Sequence, residues 1–287
     1  MATALCDGIQ TRYEVIGSGP PLLLYAPGGF DATVEKWSSL GVYARVKPLD
    51  HLAKHFTCIA FDRRECGQSG GRLEPVAWSD YVAQGAALLD HLEIDRALLM
   101  GGCMGCAPVA AFAVSHPERV AGIVLWWPVG GAKYRIKGQA RFAEHLDFVR
   151  REGLAAVAEL VSREGKAFGA DPRGGPFASV IKRDAEFAKV FAAQDVQDYL
   201  KLVAAMSRGL LDRDTAPGAE PEDLMGLRVP AWIVPGHDES HATSAARYLE
   251  ECIPGAEYWD EPPDSQTEQS ANPKLLAFLA RAWEGTK

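Results

Sequence analysis

The chain has no run of about 18 apolar residues, the length a membrane-crossing helix needs, and Met1 to Gln10 lack the basic stretch and long apolar run of a secretory signal. Neither a membrane span nor export is expected. Positive charge is not in excess: 30 Lys and Arg against 38 Asp and Glu leave a net charge of −8. A face that binds phosphates needs clustered cations, so nucleic acid and anionic membrane are not expected partners. Six cysteines at irregular spacing form no disulfide framework, and they read as reduced thiols in a cytoplasmic protein. Repeats and low-complexity tracts are missing. Histidine is scarce, with seven in the chain and none after His241.

What is present suits a globular domain: 47% hydrophobic and 24% charged residues over 287 positions can bury a sizeable core. Short apolar runs at Arg12–Ile16, Pro21–Tyr25, Thr57–Phe61, Ala97–Met100, Ala121–Leu125, Ala231–Val234 and Glu257–Asp260 read as buried strands. Helical periodicity fills Trp78–Leu92, Cys106–His116, Ser244–Cys252 and Pro273–Trp283. This alternation predicts an α/β fold with a mostly parallel sheet covered by helices on both faces. Gly131 to about Asp214 breaks the rhythm with helical pattern alone. Residues 131–215 are therefore expected to form an inserted helical cap, with 1–130 and 216–287 as the two parts of the core.

The sharpest motif is Gly101-Gly102-Cys103-Met104-Gly105, set between the strand at Ala97–Met100 and a helix with Pro108 in its first turn. A strand ending in Gly-x-nucleophile-x-Gly and turning straight into a helix is a nucleophile elbow, here with cysteine at the reactive position. A thiol at a helix N-terminus is favoured as the anion. Two blander readings stand beside this. Cys103 and Cys106 form a Cys-x-x-Cys, as in redox pairs or half a zinc set, and buried structural cysteines are common, as read for Cys6, Cys58 and Cys252.

The order of pieces resembles the α/β-hydrolase superfamily over nearly the whole chain. It runs from Gly17-Ser18-Gly19-Pro20 and the Leu22–Tyr25 strand, through the turn Asp62 to Ser69 and the elbow, to His116-Pro117-Glu118-Arg119-Val120 and Pro235-Gly236-His237-Asp238. The resemblance implies an α/β-hydrolase fold, with Gly29 (or Phe30) and Met104 supplying oxyanion-hole N–H groups and Asp238 as the acid. It also implies a histidine in the loop after the last strand, but that loop, Glu261 to Glu268, has none. Three alternatives follow. Another histidine serves Cys103, with His237 and His241 leading and His145 in the cap behind them. Or the thiolate needs no base, and Asp238, Asp260, Glu261 or Asp264 activates water. Or the site does not hydrolyse at all.

Trp126 and Trp127 end a strand at the edge where ligands gather in open α/β sheets, and Phe30, Trp37, Tyr134 and Phe142 are expected beside them, with His145 near. Such a pocket suits a small apolar or aromatic ester, lactone or thioester. The basic run Lys133, Arg135, Lys137 and Arg141 reads first as a solvated helix face and otherwise as a group that greets a carboxylate, and Glu65 reads first as a solvated turn residue paired with Arg63 or Arg64 and otherwise as new site chemistry. The expected function is a hydrolase acting through a cysteine acyl-enzyme. The alternatives are a cofactor-free lyase or C–C bond hydrolase, and a non-catalytic small-ligand binder. No metal or organic cofactor is expected. A small-molecule substrate is the expected partner, and a homodimer is left open.

Overall fold

The computed structural model describes residues 1–285. Its strands are β1 (Ala2–Cys6), β2 (Ile9–Ile16), β3 (Pro21–Tyr25), β4 (Thr57–Phe61), β5 (Ala97–Gly102), β6 (Val120–Trp126), β7 (Ala231–Val234) and β8 (Glu257–Tyr258). They form one sheet in the order β1-β2-β4-β3-β5-β6-β7-β8. The β1–β2 and β2–β4 contacts are antiparallel, while β4 through β8 run parallel. The fold is therefore α/β with a mostly parallel sheet, as the alternation of runs implies. The β1 strand was not read from the sequence, because its alternating exposed and buried residues make a short edge with little apolar signal.

Both faces of the sheet are covered, and the side-chain period of two divides the strands between two cores. Leu23, Tyr25 and Leu99 point into one, and Leu22, Leu24, Leu98 and Met100 into the other. Burying each of these leucines fully contributes about 1.5–3 kcal/mol, which explains why the central strands read as continuous apolar runs.

The helices Ala132–Glu164, Ala178–Arg183, Ala185–Ala192 and Val196–Leu210 lie between β6 and β7 in the chain. The first is broken at Gly153, whose φ of 80° only glycine adopts easily. Their apolar faces, including Phe142, Val149, Val203 and Met206, join the core on one side of the sheet. Arg183 fastens this helical layer to the turn after β4 by donating to the carbonyls of Gly67 and of Ser69, the latter at 2.6 Å. No helix among the described residues is long and apolar enough to cross a membrane.

Candidate active site

Cys103 follows the end of β5 with φ 55°, a left-handed conformation rare outside glycine. The helix Cys106–Ser115 begins three residues later. The neighbouring glycines are required by closeness of backbone. A Cβ on Gly101 would lie 2.4 Å from the Gly105 carbonyl oxygen, and one on Gly105 would lie 2.3 Å from that of Tyr25. The bend therefore sits directly on the end of β3, and the thiol stands partly exposed where the two parallel strands end.

The loop after β7 brings the other groups. Asp238 Oδ1 accepts the backbone N–H of Ser240 at 2.8 Å and of His241 at 2.9 Å, so the carboxylate shapes the turn that carries the imidazole. His241 Nδ1 lies 2.8 Å from both Asp238 oxygens. Its backbone is held to the sheet edge by a bridge to Gly130, and its ring rests against the Trp127 indole at 5.5 Å. The buried Nε2 has no oxygen or nitrogen partner and no tight bond of ordinary geometry. The imidazole lies within electrostatic range of the Cys103 thiol.

The electrostatics follow from this arrangement. Burial pushes the Cys103 thiol up, but the hydrogen bond and charge of His241, with the N–H groups of Gly28 and Met104, outweigh it and leave it below the ordinary thiol value. Burial pushes His241 down, yet its bonds to Asp238 and Cys103 and their charges raise it to about 10. The His241 hydrogen bond, working against partial burial, takes Asp238 to about 2. The arrangement shifts the thiol toward its anion and the imidazole toward its cation.

A cavity of about 390 Å³ opens over the sulfur. Gly29, Phe30, Met104, Tyr134 and Phe142 line it together with Cys103 and His241. Phe30, Phe142 and Phe168 meet edge to face, with centroids 5.1 to 5.6 Å apart. The amide that reaches the sulfur from the turn after β3 belongs to Gly28, one residue before Gly29. The Gly29 carbonyl turns away to accept from buried Arg63. Gly28 has φ 117°, and that backbone freedom was the available signal.

Other expected site residues lie elsewhere. Trp37 and Trp126 are packed in the core on the opposite face of the sheet. Trp127 does not line the cavity but backs the His241 ring. His145 is wholly buried in the helical layer, bonded to the Arg173 carbonyl at 2.9 Å and the Tyr199 hydroxyl at 2.7 Å, and burial lowers it to about 4. His237 faces outward and meets Thr243 at 3.1 Å. Glu65 is buried rather than solvated. It pairs with Arg64 at 3.0 Å, and burial pushes it up to about 7. Cys106 is sealed against the Gly101 and Trp126 carbonyls, and burial holds its thiol far above the ordinary value. Phe168 comes from a stretch with no periodic pattern, which is why the sequence offered no sign of it. Among the described residues, no group of three or more His, Cys, Asp or Glu is placed to hold a metal ion.

A family model described as the alpha/beta hydrolase fold matches residues 21–136. The dihydrolipoyllysine-residue acetyltransferase component of an acetoin cleaving system from Cupriavidus necator is 32% identical over 124 residues, 43% of this chain and 31% of that protein. The 2-hydroxy-6-oxo-2,4-heptadienoate hydrolase of Pseudomonas putida is 34% identical over 130 residues, 44% of each chain. The chain thus spans less than half the length of these curated relatives. Among solved structures, an enol-lactonase from Burkholderia xenovorans superposes with a TM-score of 0.62 at 22% identity, covering 97% of this chain and 100% of that one.

Proposed function

We propose that this chain, whose residues 21–136 match a model of the alpha/beta hydrolase fold, is an α/β-hydrolase-superfamily enzyme that hydrolyses a small ester, lactone or thioester through an acyl group carried on Cys103. The observation that carries this reading is the placement of His241 between Asp238 and the thiol, which raises the imidazole to about 10 and lowers the thiol.

In this mechanism the Cys103 thiolate attacks the acyl carbonyl carbon, and the N–H groups of Gly28 and Met104 hold the developing oxyanion. His241 Nε2 gives its proton to the departing alcohol or thiol as the carbonyl reforms, leaving a thioester on the enzyme. The now neutral Nε2 takes a proton from water, which attacks the thioester and releases the acid and the thiolate. Asp238 keeps Nδ1 protonated and the ring aimed at the sulfur. The Phe30, Phe142 and Phe168 cluster gives the apolar part of the substrate its place.

Incubation with a reactive aryl ester, followed by intact-protein mass spectrometry, is expected to show an acyl adduct that Cys103→Ala abolishes along with turnover. Turnover unchanged in that variant would sink the reading. A carbon–carbon bond hydrolase, in which the thiol only shapes the cavity, is a second reading, favoured by the likeness to the Pseudomonas putida dienoate hydrolase. It expects turnover to survive Cys103→Ser with no adduct.

A further inference from the structure

The long cap helix opens with four cations, Lys133, Arg135, Lys137 and Arg141. Three of them meet a carboxylate outside the cavity. Lys133 at 3.7 Å and Lys137 both reach Glu239, and Arg135 pairs with Asp214. Arg141 has no carboxylate within ion-pair reach among the described residues, and its side chain borders the cavity over Cys103. Helix geometry explains the split. Lys133 and Lys137 are one turn apart on one flank, while Tyr134, Gly138 and Arg141 recur at i, i+4 and i+7 on the next. All three of the second set line the cavity.

Gly138, between Tyr134 and Arg141, lets Leu211 pack against the helix, since a Cβ there would press on the Leu211 side chain at 2.7 Å. The Tyr134 phenol lies within electrostatic range of both the Cys103 sulfur and the Arg141 guanidinium, and burial holds it protonated, so it is available as a donor. Asp31, the cavity-lining carboxylate among the described residues, is already paired with Lys36 at 2.9 Å. Arg141, an exposed side chain at the cavity, is thus the lining cation without a carboxylate partner among the described residues, set two helix turns, about 10 Å, from Tyr134.

We propose that Arg141, assisted by the Tyr134 hydroxyl, is a subsite for a carboxylate on the substrate, so that the preferred acyl compound is an anion whose acyl chain ends in a carboxylate several bonds from the reacting carbonyl. This rests on Cys103 being the group acylated. A guanidinium suits the task because its planar fork matches a carboxylate with two parallel bonds.

Two esters with the same leaving group and acyl length test it: mono-4-nitrophenyl glutarate, which is anionic, and 4-nitrophenyl pentanoate, which is neutral. At low salt, kcat/KM is expected to favour the glutarate about tenfold or more, with the ratio falling as salt screens the pair. Arg141→Gln should bring the ratio to about one, whereas Lys137→Gln, which removes a charge from the same helix outside the cavity, should keep it. If the pentanoate ester acylates Cys103 but the wild type shows no preference, or Arg141→Gln retains it, the subsite is overturned and the cysteine chemistry stands. If neither ester leaves an adduct on Cys103, the cysteine reading fails and the subsite with it.

Discussion

The loop after β7 carries both Asp238 and His241, whereas the loop after β8, beside it at the same edge of the sheet, carries no histidine and buries Gln266 completely. Gln266 Oε1 accepts the indole N–H of Trp126 at 3.2 Å and of Trp127 at 2.8 Å, and its amide donates to the carbonyls of Pro235 at 3.0 Å and Glu261 at 2.9 Å. The second loop thus supports the first: it holds Trp127, and Trp127 backs the His241 ring. The contrast teaches that a base is defined by where its nitrogen arrives. The resemblance implied a histidine after the last strand, yet a turn built by Asp238 delivers one three residues further along the same loop as the acid.

The comparison breaks or sharpens under substitution. His241→Gln should cost the largest effect, about 10²–10⁴-fold in turnover from loss of the acid and base. It should also move the thiol back up, so that alkylation of Cys103 by iodoacetamide, followed against pH, shifts its midpoint to higher pH. In the wild type that midpoint should lie below the ordinary thiol value, because His241 and the N–H groups of Gly28 and Met104 lower the thiol. Adding Gln266→His to His241→Gln should restore nothing, because residue 266 is committed to the indoles; recovered turnover would show that the two loops are interchangeable. Asp238→Asn should lower turnover by about 10²-fold or more through loss of ring orientation, and an unchanged rate would remove Asp238 from the mechanism.

Smaller effects fall on support. Gln266→Ala leaves two indole N–H groups and two carbonyls without this partner and should cost about 2–4 kcal/mol in urea unfolding. A neutral result there would mean that the β8 loop does not brace its neighbour. His237→Ala, at an outward-facing ring four residues before His241, should change turnover by less than about twofold.

The legible parts of the molecule were those where chemistry follows chain order. The Cys103 elbow could be read because its glycines, apolar strand and helix are consecutive, and the central strands because burial on both faces leaves uninterrupted Val, Ile and Leu. His241 was one histidine among several candidates, since nothing in Gly236 to Thr243 states which imidazole turns inward. Trp126 was placed at the pocket because it ends a strand at the ligand edge, and Trp37 and His145 as its companions, but neither strand end nor residue type says which face of a sheet a side chain joins. The basic run at the start of the helix Ala132–Glu164 read as one group, a solvated face or a greeting for a carboxylate, and its division into three paired cations and one lining the cavity depends on carboxylates at Asp214 and Glu239, far away in sequence.

The amino-acid order by itself determined the α/β layering, the strained bend at Cys103 and the glycine turn opposite it, because steric limits on the backbone and apolar periodicity act over a few neighbouring residues. Only the tertiary structure decided that Gly28 rather than Gly29 reaches the sulfur, that His241 is the histidine beside Asp238 and Cys103, and that Gln266 fills the place where a histidine was sought. Those outcomes depend on distances of a few ångströms between segments separated by tens to hundreds of residues, and such distances are set by packing of the whole fold.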